Sequence, residues 1–164
     1  MLTLYLVRHA KAEPIAETDK ARSLADQGIK DAKRLGTLFP QLLAQPDKII
    51  CSTAERTKQT LALMQGAGLD CNNIEFDDDL YHASADLIIN KLNKAEQRTL
   101  MIIGHNPAMA ILLNRIADDQ DIVPSMLHFP TGSLAQIHFS GKKFQDLEFE
   151  EEGKVVSFLK GADI

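Results

Sequence analysis

Cysteine is nearly absent from this 164-residue chain. Cys51 and Cys71 are too few and too irregularly placed for a disulfide framework or a structural zinc site. Cys51 falls in an apolar run, where a free thiol behaves as a small buried hydrophobe. No stretch approaches the roughly 20 apolar residues of a membrane span. The first seven residues lack the basic start of a secretory signal, and Arg8-His9 interrupts them. These absences predict a cytoplasmic setting and no membrane partner. Positive charge is scarce too, since 18 Lys and Arg face 23 Asp and Glu for a net charge of −5. No basic stripe is available to follow a nucleic-acid backbone. An acidic protein that binds phosphate must therefore concentrate its positive charge locally. Repeats, low-complexity tracts and linkers are also missing, and the length suits one domain over 1–164.

Apolar, strand-like runs occur at Leu2–Val7, Lys48–Cys51, Leu100–Ile103 and Leu134–Phe139, with helical patterns between them. Ile29, Ala32, Leu35, Gly36 and Phe39 mark one helix, with Pro40 near its end. A second starts near Ala54 and closes by Gly66 or Gly68. A third carries Ile88, Ile89 and Leu92, with Ser84 as its N-cap, and a fourth opens at Pro107. Alternating strands and helices predict a three-layer α/β/α sandwich around a mostly parallel sheet. The C-terminal stretch differs. Phe144–Glu150 and Val155–Leu159 flank Glu152-Gly153, which predicts an antiparallel hairpin at one sheet edge.

Two apolar runs end in histidine: Leu-Tyr-Leu-Val-Arg8-His9 and Met-Ile-Ile-Gly104-His105-Asn106-Pro107. Open α/β sheets bind ligands at the carboxyl ends of their strands, so both histidines are candidates for one site. Arg8 beside His9 disfavours imidazolium and keeps the ring neutral, the form that attacks phosphorus. A third cluster, Ser52-Thr-Ala-Glu-Arg56-Thr-Lys-Gln-Thr60, opens a helix whose first amides face the same edge. Arg56 could equally be a solvated helix-start residue, and His105 a cap on the helix that follows it. Arginine suits phosphate because its planar fork binds two oxygens and stays charged. No carboxylate set of the kind magnesium prefers stands out, so no metal or other cofactor is expected.

Taken together in this order, the Leu-Val-Arg8-His9-Ala10, Ser52-to-Thr60 and Gly104-His105-Asn106-Pro107 motifs resemble the histidine phosphatase superfamily. Within it the chain is similar to the small phosphohistidine phosphatase (SixA-like) branch. The resemblance spans nearly the whole chain. It implies that His9 is the nucleophile and that Arg8, Arg56 and His105 form the phosphate pocket, with Asn106 beside them. Arg22, in Asp19-Lys-Ala-Arg22-Ser-Leu, is either at the pocket rim or in a surface ion pair with Asp19 or Asp26. Lys11 reads as solvated. Ala10 stands where the superfamily usually has glycine. Its general acid would fall near Asp77-Asp78-Asp79, with Asp79 the candidate and a solvated acidic turn the alternative.

An alkoxide leaving group needs protonation in the transition state. A phosphohistidine instead expels an imidazole, whose pKa is about 6.5. The expected activity is therefore a phosphohistidine phosphatase, acting on a phosphorylated protein or on a small phosphorylated substrate. A phosphatase for small monoesters or for phosphoserine and phosphothreonine is an alternative, and so is a non-catalytic phosphate-binding signalling module. A histidine-ligated metal enzyme using His9, His105 and Asp79 is disfavoured, because two arginines would repel the cation.

Overall fold

In the computed structural model, which describes residues 1–164, six strands form one sheet. These are β1 (Leu2–Arg8), β2 (Lys48–Ser52), β3 (Ile74–Asp77), β4 (Thr99–Gly104), β5 (Ser133–Phe139) and β6 (Lys154–Lys160). They lie in the order β3-β2-β4-β1-β5-β6. The first four run parallel, while β5 is antiparallel to both β1 and β6. Four helices connect them: α1 (Asp26–Gln41), α2 (Glu55–Ala67), α3 (Ala85–Asn93) and α4 (Ala108–Ile116).

Alternation along the central strands builds the three layers. Leu2, Leu4 and Leu6 on β1, with Leu100 and Ile102 on β4, join one core with α3 and α4. Tyr5, Val7, Met101 and Ile103 join the opposite core with Leu35 and Phe39 of α1 and Leu61 and Met64 of α2. A strand covered on both faces has no polar side, which explains the continuous apolar runs in the sequence. Ser84 caps α3, its Oγ accepting from Leu87 N–H at 3.1 Å. No helix is long and apolar enough to cross a membrane.

Two features differ from the sequence-based expectation. The expected hairpin arm Phe144–Glu150 is not a strand. It begins as a short 3-10 turn, Phe144–Asp146, and Phe149 and Glu151 adopt positive φ of 60° and 54°. Phe144 and Phe149 instead stack with ring centroids 6.2 Å apart and close the core beside Phe139. The antiparallel edge does exist, formed by β5 and β6, so Val155–Leu159 has a partner other than the one expected. The short edge strand β3 was also not anticipated. Its central residues, Glu75 and Phe76, are exposed, so it carries little apolar signal.

The β1–α1 connection is clamped at its base. Lys11 O accepts from Ala25 N–H at 2.9 Å. A Cβ on Gly28 would lie only 2.1 Å from that same oxygen. Gly28→Ala should therefore destabilise the fold by about 1–3 kcal/mol, read as a lower urea midpoint. An unchanged midpoint would show that α1 does not need this close approach.

Candidate active site

Strand register brings three segments to one edge of the sheet. Arg8 on β1 lies opposite Gly104 on β4, and Cys51 on β2 lies opposite Ile103. His9 N–H then donates to Gly104 O at 3.1 Å. Ala10 N–H donates to Thr60 Oγ1 at 3.1 Å, and Thr60 Oγ1 donates to Arg56 O at 2.7 Å. This relay ties the end of β1 to the first turns of α2. The His9 and His105 rings come to 5.3 Å between centroids.

The tautomer of His9 follows from one contact. Nδ1 lies 2.7 Å from Ala10 O, which can only accept, so Nδ1 carries the proton and Nε2 keeps a free lone pair. Burial, reinforced by the charges of Arg56, Arg8 and Arg22, pushes the His9 pKa down to about 4. His105 is lowered to about 3, first by burial and then by His9 and Arg56. Its Nε2 lies 2.7 Å from Ser52 Oγ, which itself accepts from Ala54 N–H at 3.3 Å. When the serine hydroxyl donates to Nε2, the His105 ring proton is on Nδ1.

Arg8 donates through Nη1 to Phe129 O at 3.1 Å. Arg56 donates through Nη1 to Asp19 O at 2.8 Å and through Nη2 to Asp19 Oδ2 at 3.1 Å. Four buried side-chain polar atoms in the molecule lack a partner: Arg8 Nε, Arg56 Nε, His105 Nδ1 and Ser133 Oγ. Three of these belong to Arg8, Arg56 and His105; the two guanidinium Nε–H groups are donors, and His105 Nδ1 is one when its Nε2 accepts from Ser52. Buried polar groups left unpaired are costly, and here they belong to residues that act on or adjoin a neutral imidazole whose Nε2 makes no hydrogen bond within the chain. Such a set can hold the oxygens of an anion while Nε2 faces its central atom.

Sequence reasoning missed Asp19 as a member of this cluster, noting it only as a partner for Arg22. Its carboxylate accepts from Arg22 Nη1 at 2.9 Å, from Arg56, and from the Tyr81 hydroxyl. The Tyr81 bond, with Arg22 and Arg56, holds the Asp19 carboxyl far below the usual carboxylate range. The signal available in the sequence was the i, i+3 spacing of Asp19 and Arg22; the Tyr81 contact, 62 residues distant, had none. Of the two readings of Arg22 the structure shows the ion pair, with Nη1 2.9 Å from Asp19, whose other oxygen pairs with Arg56. Ser52, in the same segment as Arg56, has no role in the sequence reading, yet its Oγ lies 2.7 Å from His105 Nε2.

Asp79 is turned away from the others, whereas Asn106 lines a cavity with His105 and shares the Phe129 carbonyl with Arg8. Asp79 turns its carboxylate to Lys91 Nζ on α3 at 3.6 Å and shares no hydrogen bond with His9, Arg56 or His105. Asn106 uses its amide nitrogen on His128 O at 2.7 Å and Phe129 O at 3.1 Å, while its Oδ1 accepts from Ala110 N–H at 3.2 Å. Asn106 thereby ties the first turn of α4 to the backbone at His128 and Phe129, and both of its amide hydrogens are engaged there. Lys11 is exposed. No three His, Cys, Asp or Glu side chains are grouped to hold a metal ion. Beside His105, a cavity of about 210 Å³ is lined by Tyr81, His82, Pro107 and Ala108 among others.

The family model "Histidine phosphatase superfamily (branch 1)" matches residues 4–85, which include Arg8, His9, Arg22 and Arg56. The chain belongs to the histidine phosphatase superfamily. An uncharacterized protein of Mycobacterium tuberculosis (strain H37Rv) is 34% identical over 143 residues, covering 82% of this chain and 88% of its own length. Two solved structures provisionally named phosphohistidine phosphatase SixA are also similar. The one from Nakamurella multipartitia has a TM-score of 0.81 at 27% identity, over 96% of this chain and 95% of that one. The one from Agrobacterium tumefaciens has a TM-score of 0.78 at 29% identity, over 96% and 97%.

Both active-edge histidines are held neutral, and this couples the site to stability. In the unfolded chain they bind protons near pH 6.5, but in the folded chain only near 4 and 3. Their contribution is intact above the unfolded value and is lost progressively as pH falls toward the folded values. The urea midpoint should drop between pH 7 and pH 4.5, and the His9→Gln/His105→Gln double variant should drop less. Identical drops would mean that these rings do not carry the effect.

Proposed function

We propose that this chain is a phosphatase working through a covalent intermediate on His9, and that its substrate is a phosphohistidine carried by a protein. The observation that carries this reading is the grouping of a free His9 Nε2 with the buried, unpartnered Nε donors of Arg8 and Arg56 and the unpartnered Nδ1 of His105. Nε2 attacks phosphorus in line with the leaving group. Arg8, Arg56 and His105 Nδ1–H hold the equatorial oxygens, where negative charge accumulates. The N–P bond of the substrate breaks, and its electron pair returns to the departing ring. Water then attacks the phosphorus on His9, releasing phosphate and restoring Nε2. Arg22 stands at the rim of the pocket beside Asp19.

The choice of phosphohistidine rests on the carboxylates. Asp79 is engaged by Lys91. Asp19 is held ionised by Tyr81 and two arginines. Asp19, held ionised, is unsuited to protonate an alkoxide, which is what a monoester would require, and Asp79 shares no hydrogen bond with His9, Arg56 or His105. The names of the two solved relatives point the same way. The segments bordering the site contribute only short 3-10 turns, Asp19–Ala21, Asp78–Leu80, Asp119–Asp121 and Pro124–Met126, and no helical lid. An uncovered pocket suits a side chain presented on a protein surface.

His9→Ala should abolish hydrolysis of a phosphohistidine protein without unfolding the chain. Arg56→Ala should lower kcat/KM by about 10²–10³-fold, as for removal of one preorganised charge-stabilising donor. Quenched turnover mixtures should contain acid-labile phosphate on His9. Persistent activity in His9→Ala, or faster turnover of a sugar phosphate than of the phosphohistidine protein, would overturn the proposal.

A further inference from the structure

Ester and phosphoramidate substrates need their proton in different places. An ester must be protonated on the bridging oxygen, the atom bonded to phosphorus. Phosphohistidine leaves as neutral imidazole only if the ring nitrogen remote from phosphorus carries a proton; otherwise the poorer imidazolate must depart. The relevant acid therefore stands one ring-width farther from the nucleophile than any ester's acid. An acid positioned for this substrate is missed by looking only next to His9.

A cavity beside His105, whose ring is 5.3 Å from that of His9, offers a place for such an acid. It holds about 210 Å³ and is lined by Tyr81, His82, His105, Asn106, Pro107 and Ala108 among others. The Tyr81 ring lies 5.6 Å from that of His105 and 4.2 Å from that of His82. No Asp, Glu, Lys or Arg lines the space, so it is suited to a planar, uncharged ring. Arg56 and Lys20 lie 5.7 and 5.6 Å from the Tyr81 ring centroid, and the Tyr81 hydroxyl is tied to Asp19. Those contacts immobilise the Tyr81 side of the wall. His82 is exposed and makes no side-chain hydrogen bond within the chain, so its nitrogens are free to exchange protons with solvent.

We infer that this cavity receives the departing imidazole and that His82 is the catalytic residue that protonates its remote nitrogen. The inference rests on the phosphohistidine reading above. In the first step the N–P bond breaks as His9 Nε2 bonds phosphorus. The electron pair goes to the substrate ring, and imidazolium His82 gives one proton to that ring's far nitrogen. In the second step water attacks the phosphorus on His9 and its proton passes to solvent, while the exposed His82 regains a proton from solvent. The acid is thereby regenerated, and no other reactant is consumed.

Three small substrates separate this role from a merely structural one. Phosphoimidazole needs the proton. Its N′-methylated cation cannot accept one, and para-nitrophenyl phosphate expels a phenolate that does not need one. In His82→Ala and His82→Asn, kcat/KM for phosphoimidazole should fall by at least about a hundredfold, the lower range for a positioned acid. The other two substrates should be turned over as by the wild type, and thermal melts should coincide. Equal loss on all three substrates, or no loss on phosphoimidazole, would overturn the assignment of His82. Failure of the wild type to hydrolyse phosphoimidazole while it hydrolyses para-nitrophenyl phosphate would instead overturn the phosphohistidine reading, and this inference with it.

Discussion

Backbone pairing of β1 with β4 and of β4 with β2 decides where the reactive side chains end up. Because the three strands run parallel and in register, Arg8-His9, Ser52 and Gly104-His105 leave the sheet at one edge. Shifting β1 by one residue would invert every side chain on it, sending Leu4 and Leu6 to the wrong core. The apolar alternation that stabilises both layers therefore also fixes the geometry of the site. Packing and chemistry are specified by the same residues.

Electrostatics follow from that placement. The chain is acidic overall, yet Arg8, Arg22 and Arg56 all act on His9. Asp19 is the counterweight: it gathers Arg22 and Arg56 through one carboxylate while Arg8 Nε, Arg56 Nε and His105 Nδ1 stay unpartnered. Burial does the larger part in keeping both imidazoles neutral. A neutral ring whose proton is anchored on Ala10 O presents Nε2 as its reactive atom. The site thus combines a nucleophile that needs no deprotonation with fixed positive charge for the group it attacks.

Much of this was legible in the residues. β1, β2 and β4 are buried on both faces, so they read as nearly unbroken apolar runs, and each ends at or just before a chemically distinctive residue. Arg8, His9, Arg56 and His105 could be nominated for that reason. β3 could not, because a short, half-exposed edge strand has no comparable pattern. Phe144–Glu150 has strand-like composition, but two aromatic rings used to close a core need a turn, not an extended chain. Asp79 was a reasonable candidate acid from its position, yet Lys91 on α3 competes for its carboxylate. The Asp19–Tyr81 contact exists only through the tertiary fold, which no local spacing announces.

The central claim is that one anion is held against His9 Nε2 by donors from three strand ends. A crystal structure with bound vanadate tests it most directly. The account predicts vanadium bonded to His9 Nε2, with oxygens within hydrogen-bond distance of Arg8 Nε, Arg56 Nε and His105 Nδ1. Vanadate bound away from Nε2, or held by side chains other than these, would contradict it.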